Sequence, residues 1–362
     1  MRIGKQCRIR TERGTRDMCF KFFSQDLGID LGTANTLIYS KDKGILLNEP
    51  SVVAVDTGDQ VLAAGKEAKA MLGRAPESIR VVRPLQDGVI SDFIMTQVML
   101  KEYIKRVMEK RSSFTQLRVV VGVPSGVTEV EKRAVEEVVR QMGAKEVYIL
   151  TEPMAAAIGA GLAVDGAEGC MIADIGGGTS DIAIIALGGI VTSTSLRFAG
   201  DKMDEAIIAY MRKNFNLLIG VKTAEEIKKT VGCVYPDEDT DEVTTIMEAR
   251  GRDVISGLPK IATVQSTDIM NALEEPAALI LDGVKTTLEQ APPELAADIV
   301  SNGLVLAGGG ALLRGLDKLI EYHTGIRVAI APNALEAVAE GTGKSLANIE
   351  KVKRYAYTGK KY

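Results

Sequence analysis

The stretch DLGTANT, from Asp30 to Thr36, decides the fold, because it returns as DIGGGTS from Asp174 to Ser180. The two copies start 144 residues apart (174 minus 30). A short apolar run precedes and follows each copy, so each predicts a β-hairpin with a tight turn of small residues. This repeat is the feature of the sequence that says most about function.

The two turns are suited to binding a polyphosphate. Small residues leave the backbone N–H groups accessible, and glycine lets a phosphate chain approach without a Cβ in the way. Asp30 and Asp174 each end a predicted strand, where a carboxylate can hold Mg²⁺ through its water ligands. Two such hairpins facing each other would hold one nucleoside triphosphate from both sides.

The composition excludes several classes of protein. The 362 residues are 46% hydrophobic with a mean hydropathy of +0.08, enough for one large bilobed unit or two domains. A net charge of −4 argues against nucleic-acid binding, which usually needs a basic face. The four scattered cysteines form no CxxC pair, which argues against zinc or a disulfide framework and fits a reducing cytoplasm. No apolar stretch reaches the length of a transmembrane helix, and no signal peptide is visible.

The single histidine, His323, excludes most histidine-dependent chemistry. It is predicted to lie at the end of a helix, where an imidazole suits the negative end of the helix dipole.

The two ends of the chain look different from the middle. Residues 1–17 carry six Lys/Arg against two carboxylates and are predicted to be disordered, with Met18 as a possible alternative start. Phe20, Phe22 and Phe23 follow, either as the beginning of the first strand or as an exposed apolar group. We favour the exposed group, because an apolar patch behind a basic segment suits an anionic membrane surface. The basic tail, residues 351–362, is predicted to be frayed.

Two further glycine-rich stretches have opposite interpretations. Gly308 to Gly310 follows an apolar strand at a predicted strand-to-helix junction, where adenine could lie against bare backbone. The stretch GTGKS, residues 341–345, ends like a P-loop, but the required first glycine is Val338 and no buried strand directly precedes it. The P-loop interpretation is therefore rejected.

Glu152 is the candidate for organising attack on a γ-phosphate. It stands at a predicted strand end between the two hairpins, and Pro153 fixes the turn. A carboxylate there can orient water for in-line displacement, although Glu152 could instead cap the following helix. Glu225 and Lys228 share a helix face. They could contact a nucleoside or form a surface ion pair, and the residues alone favour the ion pair.

Four stretches, taken in order, carry a family resemblance: DLGTANT from Asp30, TEPMAAAIGA from Thr151, DIGGGTSD from Asp174 and AGGGALLRG from Ala307. The chain resembles the actin/Hsp70/sugar-kinase superfamily and, within it, the bacterial actin-like rod-shape-determining proteins of the MreB/Mbl family. The resemblance runs from about Asp26 to Asn348. It implies an α/β, actin-like two-lobed ATPase fold of duplicated ribonuclease-H-like domains, each lobe with a small outer subdomain.

The resemblance also implies a division of the chain. Residues 26–53, 87–166 and 336–350 would form the core of lobe I (IA), and residues 54–86 its small subdomain (IB). Residues 167–202 and 267–335 would form the core of lobe II (IIA), and residues 203–266 its small subdomain (IIB). Residues 1–25 would be a basic and apolar extension, and the basic tail would follow the lobes.

The cofactors implied by the resemblance are ATP or ADP and Mg²⁺. Asp30 and Asp174 would face the metal through water, and Glu152 would position the hydrolytic water. The phosphates would contact Gly32, Thr33, Ala34, Asn35, Gly176, Gly177, Gly178 and Thr179. The nucleoside would contact Gly200, Asp201, Glu225, Lys228, Gly308, Gly309 and Gly310. The family often has Thr-Thr-Glu where this chain has Thr179-Ser180-Asp181, which keeps the chemistry.

The function implied is that of an ATP-dependent cytoskeletal protein, with slow ATP hydrolysis coupled to polymerisation. Subunits would join head to tail into paired protofilaments on the inner face of the plasma membrane and direct cell-wall synthesis and rod shape. The partners implied are proteins of the MreC, MreD and RodZ type and the cell-wall synthesis machinery, without nucleic acid. Some relatives insert a loop with two apolar residues into the membrane. Here that loop offers only Phe114, so Phe20, Phe22 and Phe23 become the preferred candidates for membrane contact.

Three alternatives remain open on the residues. A small-molecule kinase would need a catalytic aspartate facing an acceptor cleft, for which there is no clear candidate. An Hsp70-type chaperone would need a β-rich peptide-binding domain after the ATPase. A plasmid-segregating or division actin would not be expected to match the rod-shape stretches so fully.

Overall fold

Two five-stranded mixed sheets form the centre of the molecule. The computed structural model describes residues 24–108, 116–236 and 245–347. The strands of the first sheet are β1 (Ser24–Leu31), β2 (Asn35–Ser40), β3 (Gly44–Pro50), β9 (Gln116–Val123) and β10 (Ala144–Thr151). Those of the second are β11 (Cys170–Ile175), β12 (Ser180–Ala186), β13 (Gly189–Leu196), β17 (Leu304–Ala307) and β18 (Val328–Ile330).

The two sheets have the same topology. Their orders are β3-β2-β1-β9-β10 and β13-β12-β11-β17-β18. In each, the first three strands of that order pair antiparallel, and the remaining pairs are parallel. The duplication implied by the family resemblance is therefore confirmed, and we call the two halves lobe I and lobe II.

Each lobe carries a smaller sheet. In lobe I it comprises β4 (Val53–Asp56), β5 (Val61–Ala64) and β6 (Ile79–Val82), followed by the short hairpin β7 (Leu85–Gln86) and β8 (Val89–Ile90). In lobe II it comprises β14 (Leu217–Leu218), β15 (Ile246–Asp253) and β16 (Pro259–Gln265). The turn signal Thr57-Gly58-Asp59 between the apolar runs 52–56 and 60–64 predicts a hairpin there, and the pairing of β4 with β5 confirms it.

The helices are α1 (Lys66–Met71), α2 (Phe93–Val107), α3 (Glu129–Gln141), α4 (Glu152–Gly159), α5 (Gly200–Phe215), α6 (Val221–Val231), α7 (Ser266–Glu289), α8 (Pro293–Asn302), α9 (Leu316–Thr324) and α10 (Ala337–Leu346). The spacing of Thr128 and Glu131 in the sequence predicts a capping box, and it is present at the start of α3, where the two residues bond reciprocally. His323 lies in the last turn of α9, as predicted. In the described ranges, no helix is both long and apolar enough to cross a membrane.

The sequence predicts helices over residues 311–322, 203–214 and 154–161, and the structure corrects all three boundaries. Residues 311–322 form the end of a 3₁₀ turn, Gly309–Leu312, and then most of α9, because Gly315 between them adopts a left-handed conformation (φ 76°). The second helix already begins at Gly200. The third begins at Glu152, one residue after its cap Thr151.

Helices α4 and α10 join the two lobes. Each follows the last parallel strand of its own lobe and packs against the sheet of the other: α4 against β11 and β12, α10 against β1, β9 and β2. Glycines allow the helices to approach closely, since a Cβ at Gly341 would contact the backbone of Ala155 and one at Gly159 would contact that of Ala337. The GTGKS stretch lies inside α10 and is not a phosphate loop.

Candidate nucleotide site

The turns of the two repeated hairpins touch each other across the cleft between the lobes. A Cβ built on Gly177 would lie 2.6 Å from the Cβ of Ala34, and one built on Gly178 would lie 2.6 Å from Oγ1 of Thr33. That distance is shorter than any ordinary contact, so only glycine permits this approach at either position. Thr33 is also fixed from its own lobe, because Gly88 N–H donates to its Oγ1 at 2.9 Å.

Four carboxyl groups gather beneath these turns. Asp30 and Asp174 are the next-to-last residues of β1 and β11, Asp181 lies in β12 and Glu152 begins α4. Burial raises the pKa of Asp30 to about 7 and raises the pKa of Glu152 well above its usual range. The charges of Asp181, Asp30 and Asp174, in that order, raise the pKa of Glu152 further. Burial, and then Asp30 and Asp181, likewise raise the pKa of Asp174.

This cluster fits a Mg²⁺-nucleotide. Buried carboxylates repel one another unless a cation or protons neutralise them. Within the described ranges, no three Asp, Glu, His or Cys side chains stand at direct metal-ligand spacing. Water-mediated binding of Mg²⁺ at Asp30 and Asp174 stays a prediction, and Mg²⁺ commonly keeps several waters.

Asp181 is held from the opposite lobe. Ser125, in the turn after β9, donates from its backbone N–H at 2.8 Å and from its hydroxyl at 2.6 Å to Oδ1 of Asp181. Burial raises the pKa of Asp181, and the hydroxyl and N–H groups around it, those of Ser125 foremost, oppose that rise. Sequence reasoning did not select Ser125 or Asp181 as site residues, since 56 residues separate them.

The beginning of α5 is attached to the second turn. Gly200 N–H donates to the carbonyl of Gly176 at 3.2 Å, and Asp201 N–H donates to that of Gly177 at 2.8 Å. Gly200 and Asp201 were predicted near the nucleoside, and the structure places them directly beside the predicted phosphate turn. The side chain of Asp201 faces Arg83 of lobe I at 3.6 Å.

Glu225 and Lys228 do not form the surface pair that their spacing favoured. Lys228 donates to the carbonyl of Gly200 at 2.6 Å and pairs with Asp204 at 2.8 Å. Glu225 accepts from Lys229 at 2.6 Å and from Lys69 of lobe I at 2.7 Å. Burial opposes ionisation of Glu225, but these two lysines outweigh it and lower its pKa to about 2. Lys69 and Arg83 thus each reach across the cleft, although neither was predicted.

The third glycine cluster packs against β11. Gly308 has φ 79°, and a Cβ there would lie 2.6 Å from Oδ1 of Asp174. A Cβ at Gly310 would contact the side chain of Ile175. The glycines thus let the 3₁₀ turn lie against the end of β11, and adenine contact with Gly308 to Gly310 stays a prediction.

The predicted membrane residues Phe20, Phe22, Phe23 and Phe114 lie outside the described residues.

Comparison with known proteins decides the family. The family model for the MreB/Mbl protein matches residues 24–354. The chain belongs to the MreB/Mbl family. This membership agrees with the duplicated lobes, the paired glycine hairpins and the carboxylates between them.

Relatives in the family are named as cell shape-determining proteins. MreB of Escherichia coli (strain K12) is 51% identical over 333 residues, covering 91% of this chain and 95% of its own. Mbl of Bacillus subtilis (strain 168) is 47% identical over 331 residues, covering 91% and 98%. The small-molecule kinase alternative finds no support among these relatives.

Solved structures confirm the actin-like fold. MreB5 of Spiroplasma citri bound to ADP has a TM-score of 0.85 at 40% identity, covering 91% of this chain and 98% of its own. The same protein bound to AMPPNP has a TM-score of 0.84 at 39% identity, with the same coverage. A MamK double helical filament has a TM-score of 0.76, covering 90% and 99%, and its 24% identity shows a likeness of fold alone.

Proposed function

We propose that this protein binds and slowly hydrolyses Mg²⁺-ATP between its lobes and polymerises head to tail into paired filaments that direct cell shape. The observation that carries the proposal is a set of four carboxyl groups beneath two opposed glycine turns: the half-buried Asp30 and the buried Glu152, Asp174 and Asp181. Family membership supports it, since relatives are named for cell shape and one has been solved with ADP and AMPPNP.

The residues would divide the work as follows. Backbone N–H groups of the turns at Gly32 to Asn35 and Gly176 to Thr179 would bind phosphates. Asp30 and Asp174 would hold the waters of Mg²⁺, which would neutralise charge on the phosphates. Glu152 would orient the attacking water.

Hydrolysis would regulate the filament through lobe closure. The two turns belong to different lobes, so a γ-phosphate bound between them favours the closed arrangement and its loss weakens it. A head-to-tail contact uses two different surfaces of each subunit and so produces an open filament.

The first test is assembly of the full chain with Mg²⁺-ATP, Mg²⁺-ADP or no nucleotide, measured by pelleting and electron microscopy. We expect paired filaments with ATP and fewer or none without nucleotide. A monomer under every condition would contradict polymerisation.

Glu152→Gln tests the hydrolytic step. The amide keeps the size of the side chain but cannot accept a proton from water, so we expect phosphate release to fall by about 100-fold or more. ATP affinity and ATP-dependent filaments should persist. Glu168→Gln, at an exposed lobe II position, is the matched control. Unchanged phosphate release in Glu152→Gln would assign the water to another group.

Membrane attachment is proposed to use the Phe20, Phe22 and Phe23 group, with Phe114 as a lesser contributor. Filaments are mixed with vesicles of anionic or neutral phospholipid and sedimented. Changing the three phenylalanines to serine should release filaments from anionic vesicles, whereas Phe114→Ser should release them less. Proteins of the MreC, MreD and RodZ type are proposed as further partners that hold the filaments at the membrane. Co-purification of such proteins with this chain from a rod-shaped cell tests this.

A further inference from the structure

Two segments outside the described ranges are attached to one end of the lobe I sheet. Strands β1 and β9 run parallel, and Ser24 at the start of β1 pairs with Gln116 at the start of β9. Residues 1–23 and 109–115 therefore join the sheet at the same end, opposite the phosphate turns. We call this end the base of lobe I; it comprises the starts of β1, β9 and β10 and the turn after β2.

Helix α10 directs the chain that follows it to the same base. A Cβ built on Gly122, at the turn end of β9, would contact Val338 near the start of α10. One built on Gly28, nearer the base, would contact Gly343 near the end of α10. The helix thus runs towards the base, and the described chain stops one residue after it. Three residues then lead to the basic tail, residues 351–362.

The segments that meet at the base are strongly basic. The tail has five Lys/Arg and no Asp or Glu, and residues 1–23 have seven Lys/Arg against two carboxylates. Residues 109–115 have two Lys/Arg against one carboxylate. Together these segments carry fourteen Lys/Arg against three carboxylates, in a chain whose net charge is −4. Positive charge is therefore concentrated at one end of an acidic protein.

The described surface of the base does not oppose this charge. Three exposed lysines lie there, in the turn after β2 and at the start of β10: Lys41, Lys43 and Lys145. Asp26 is neutralised by Arg118, whose guanidinium donates to both carboxylate oxygens at 2.8 and 2.6 Å. Asp42 and Glu146 are exposed, so these groups leave one net positive charge. An anionic surface would not be repelled by the base.

The composition of the tail suits a lipid surface. Anionic phospholipid attracts Lys and Arg that lie near it, and these attractions add along a basic segment. Tyrosine has an apolar ring with a polar tip, which suits the boundary between headgroups and acyl chains. Three of the twelve tail residues are tyrosines: Tyr355, Tyr357 and Tyr362. The tail combines both features and starts from the end of lobe I to which the phenylalanines proposed for membrane contact are attached.

We propose that the basic tail binds the headgroups of anionic phospholipids, as an electrostatic contact beside the apolar contacts of the phenylalanines. The inference rests on the proposed function, because it needs filaments that lie on a membrane. Each subunit of a filament brings its own tail to the surface. A modest attraction per subunit then becomes strong for the filament as a whole, since the contacts are linked.

The test uses the full chain assembled with Mg²⁺-ATP and sedimented with vesicles. The vesicles are phosphatidylcholine alone or a mixture of phosphatidylcholine and phosphatidylglycerol. The variant replaces the basic residues of the tail by glutamine: Lys351, Lys353, Arg354, Lys360 and Lys361. We expect its apparent affinity for the mixed vesicles to fall at least about tenfold. High salt should weaken binding of the unaltered protein, because ions screen the attraction.

Two controls separate the tail from other effects of charge. Exchanging Lys for Arg and Arg for Lys at the same five positions keeps the charge and should keep the affinity within about twofold. A matched variant replaces four lysines and one arginine at exposed positions elsewhere by glutamine: Lys66, Arg74, Lys101, Lys213 and Lys222. It changes the net charge equally and should bind the mixed vesicles like the unaltered protein. Pelleting without vesicles measures the filament yield of every variant.

The outcomes decide between the tail and its competitors. Loss of binding in the tail glutamine variant alone, at unchanged filament yield, supports the inference. Unchanged binding overturns it, as does an equal loss in the matched variant or a loss explained by filament yield. Release by inorganic phosphate, but not by chloride at equal ionic strength, would indicate a phosphate site and overturn it too. If unaltered filaments do not bind the mixed vesicles, the proposed membrane attachment has failed and the inference fails with it.

Discussion

Opposite Asp30, lobe I has Leu37, whereas opposite Asp174, lobe II has Asp181. The strand order, pairing directions and glycine-containing turns around these positions are the same in both lobes. The charges at these positions are nevertheless unequal: lobe I has one carboxylate in the pair, Asp30, and lobe II has two, Asp174 and Asp181. A duplicated backbone thus places two similar turns on the two sides of the cleft, while the charge beneath them depends on where the copies differ.

The largest effect on stability should come from placing a polar side chain at the lobe I position that matches Asp181 of lobe II. Leu37→Asn places an amide at a position where the leucine side chain is 4% exposed. We expect the free energy of unfolding to fall by about 3–5 kcal/mol, from lost apolar burial and an unsatisfied polar group. Chemical denaturation of the nucleotide-free protein measures it.

Leu62→Asn is the control, because Leu62 is 48% exposed. It should change the free energy of unfolding by less than about 1 kcal/mol. Equal losses of unfolding free energy in Leu37→Asn and Leu62→Asn would mean that the burial of Leu37 does not set the cost of a polar group there.

A smaller effect should follow from enlarging the lobe II turn. In Gly177→Ala the new methyl group meets Ala34, so the turns must separate. We expect ATP affinity to fall about tenfold, equal to about 1.4 kcal/mol, as measured by titration calorimetry.

The compensating double variant sharpens this test. Gly177→Ala with Ala34→Gly should recover affinity to within about threefold, since the closest clash, at 2.6 Å with the Cβ of Ala34, is removed and the approach of 3.1 Å to the Ala34 backbone nitrogen needs only a small shift. Gly189→Ala, whose Cβ would have no neighbour nearer than 3.8 Å, should leave affinity unchanged. Failure of the double variant to recover would place the defect in the turn itself, not in the contact between lobes.

The smallest effect should come from the ion pair that links the outer parts of the lobes. Glu225→Gln removes the charge that Lys69 and Lys229 stabilise. We expect a loss of about 1 kcal/mol in the free energy of unfolding at pH 7, modest because the pair is partly exposed.

The pH dependence gives the sign of this effect. Binding lowers the folded-state pKa of Glu225 from its usual 4.5 to about 2. The stabilisation is therefore complete above about pH 4.5 and is lost as the pH falls towards 2. Lys69→Gln and Lys229→Gln separate the link across the cleft from the link within α6. A difference between Glu225→Gln and the unaltered protein that grows on acidification would be inconsistent with this account.

Local patterns predicted most of the fold. The apolar runs and small-residue turns predicted both hairpins, and the spacing of Thr128 and Glu131 predicted the capping box. These features depend on residues close in sequence. The break before α9 was missed, because the left-handed conformation of Gly315 depends on its packing against the backbone of Tyr235.

The candidate site was only partly predictable. Asp30, Asp174 and Glu152 end strands or begin a helix, so their positions follow from secondary structure alone. The bonds of Ser125 to Asp181 and of Lys69 to Glu225 span 56 and 156 residues. Such pairs form because the two lobes pack against each other. A periodic pattern within one segment of the sequence cannot predict contacts of this kind.

Helices α4 and α10 each leave one lobe and complete the interior of the other. Ala155 and Ala156 of α4 are buried in the same cluster as Ile172 of lobe II, while Gly343 of α10 lies against Gly28 and Tyr39 of lobe I. The chain therefore cannot be divided near its midpoint into two independent proteins. If the chain is cut between residues 162 and 168, each fragment would expose the apolar surface that a helix of the other fragment covers. The fragments should become compact only when they are combined.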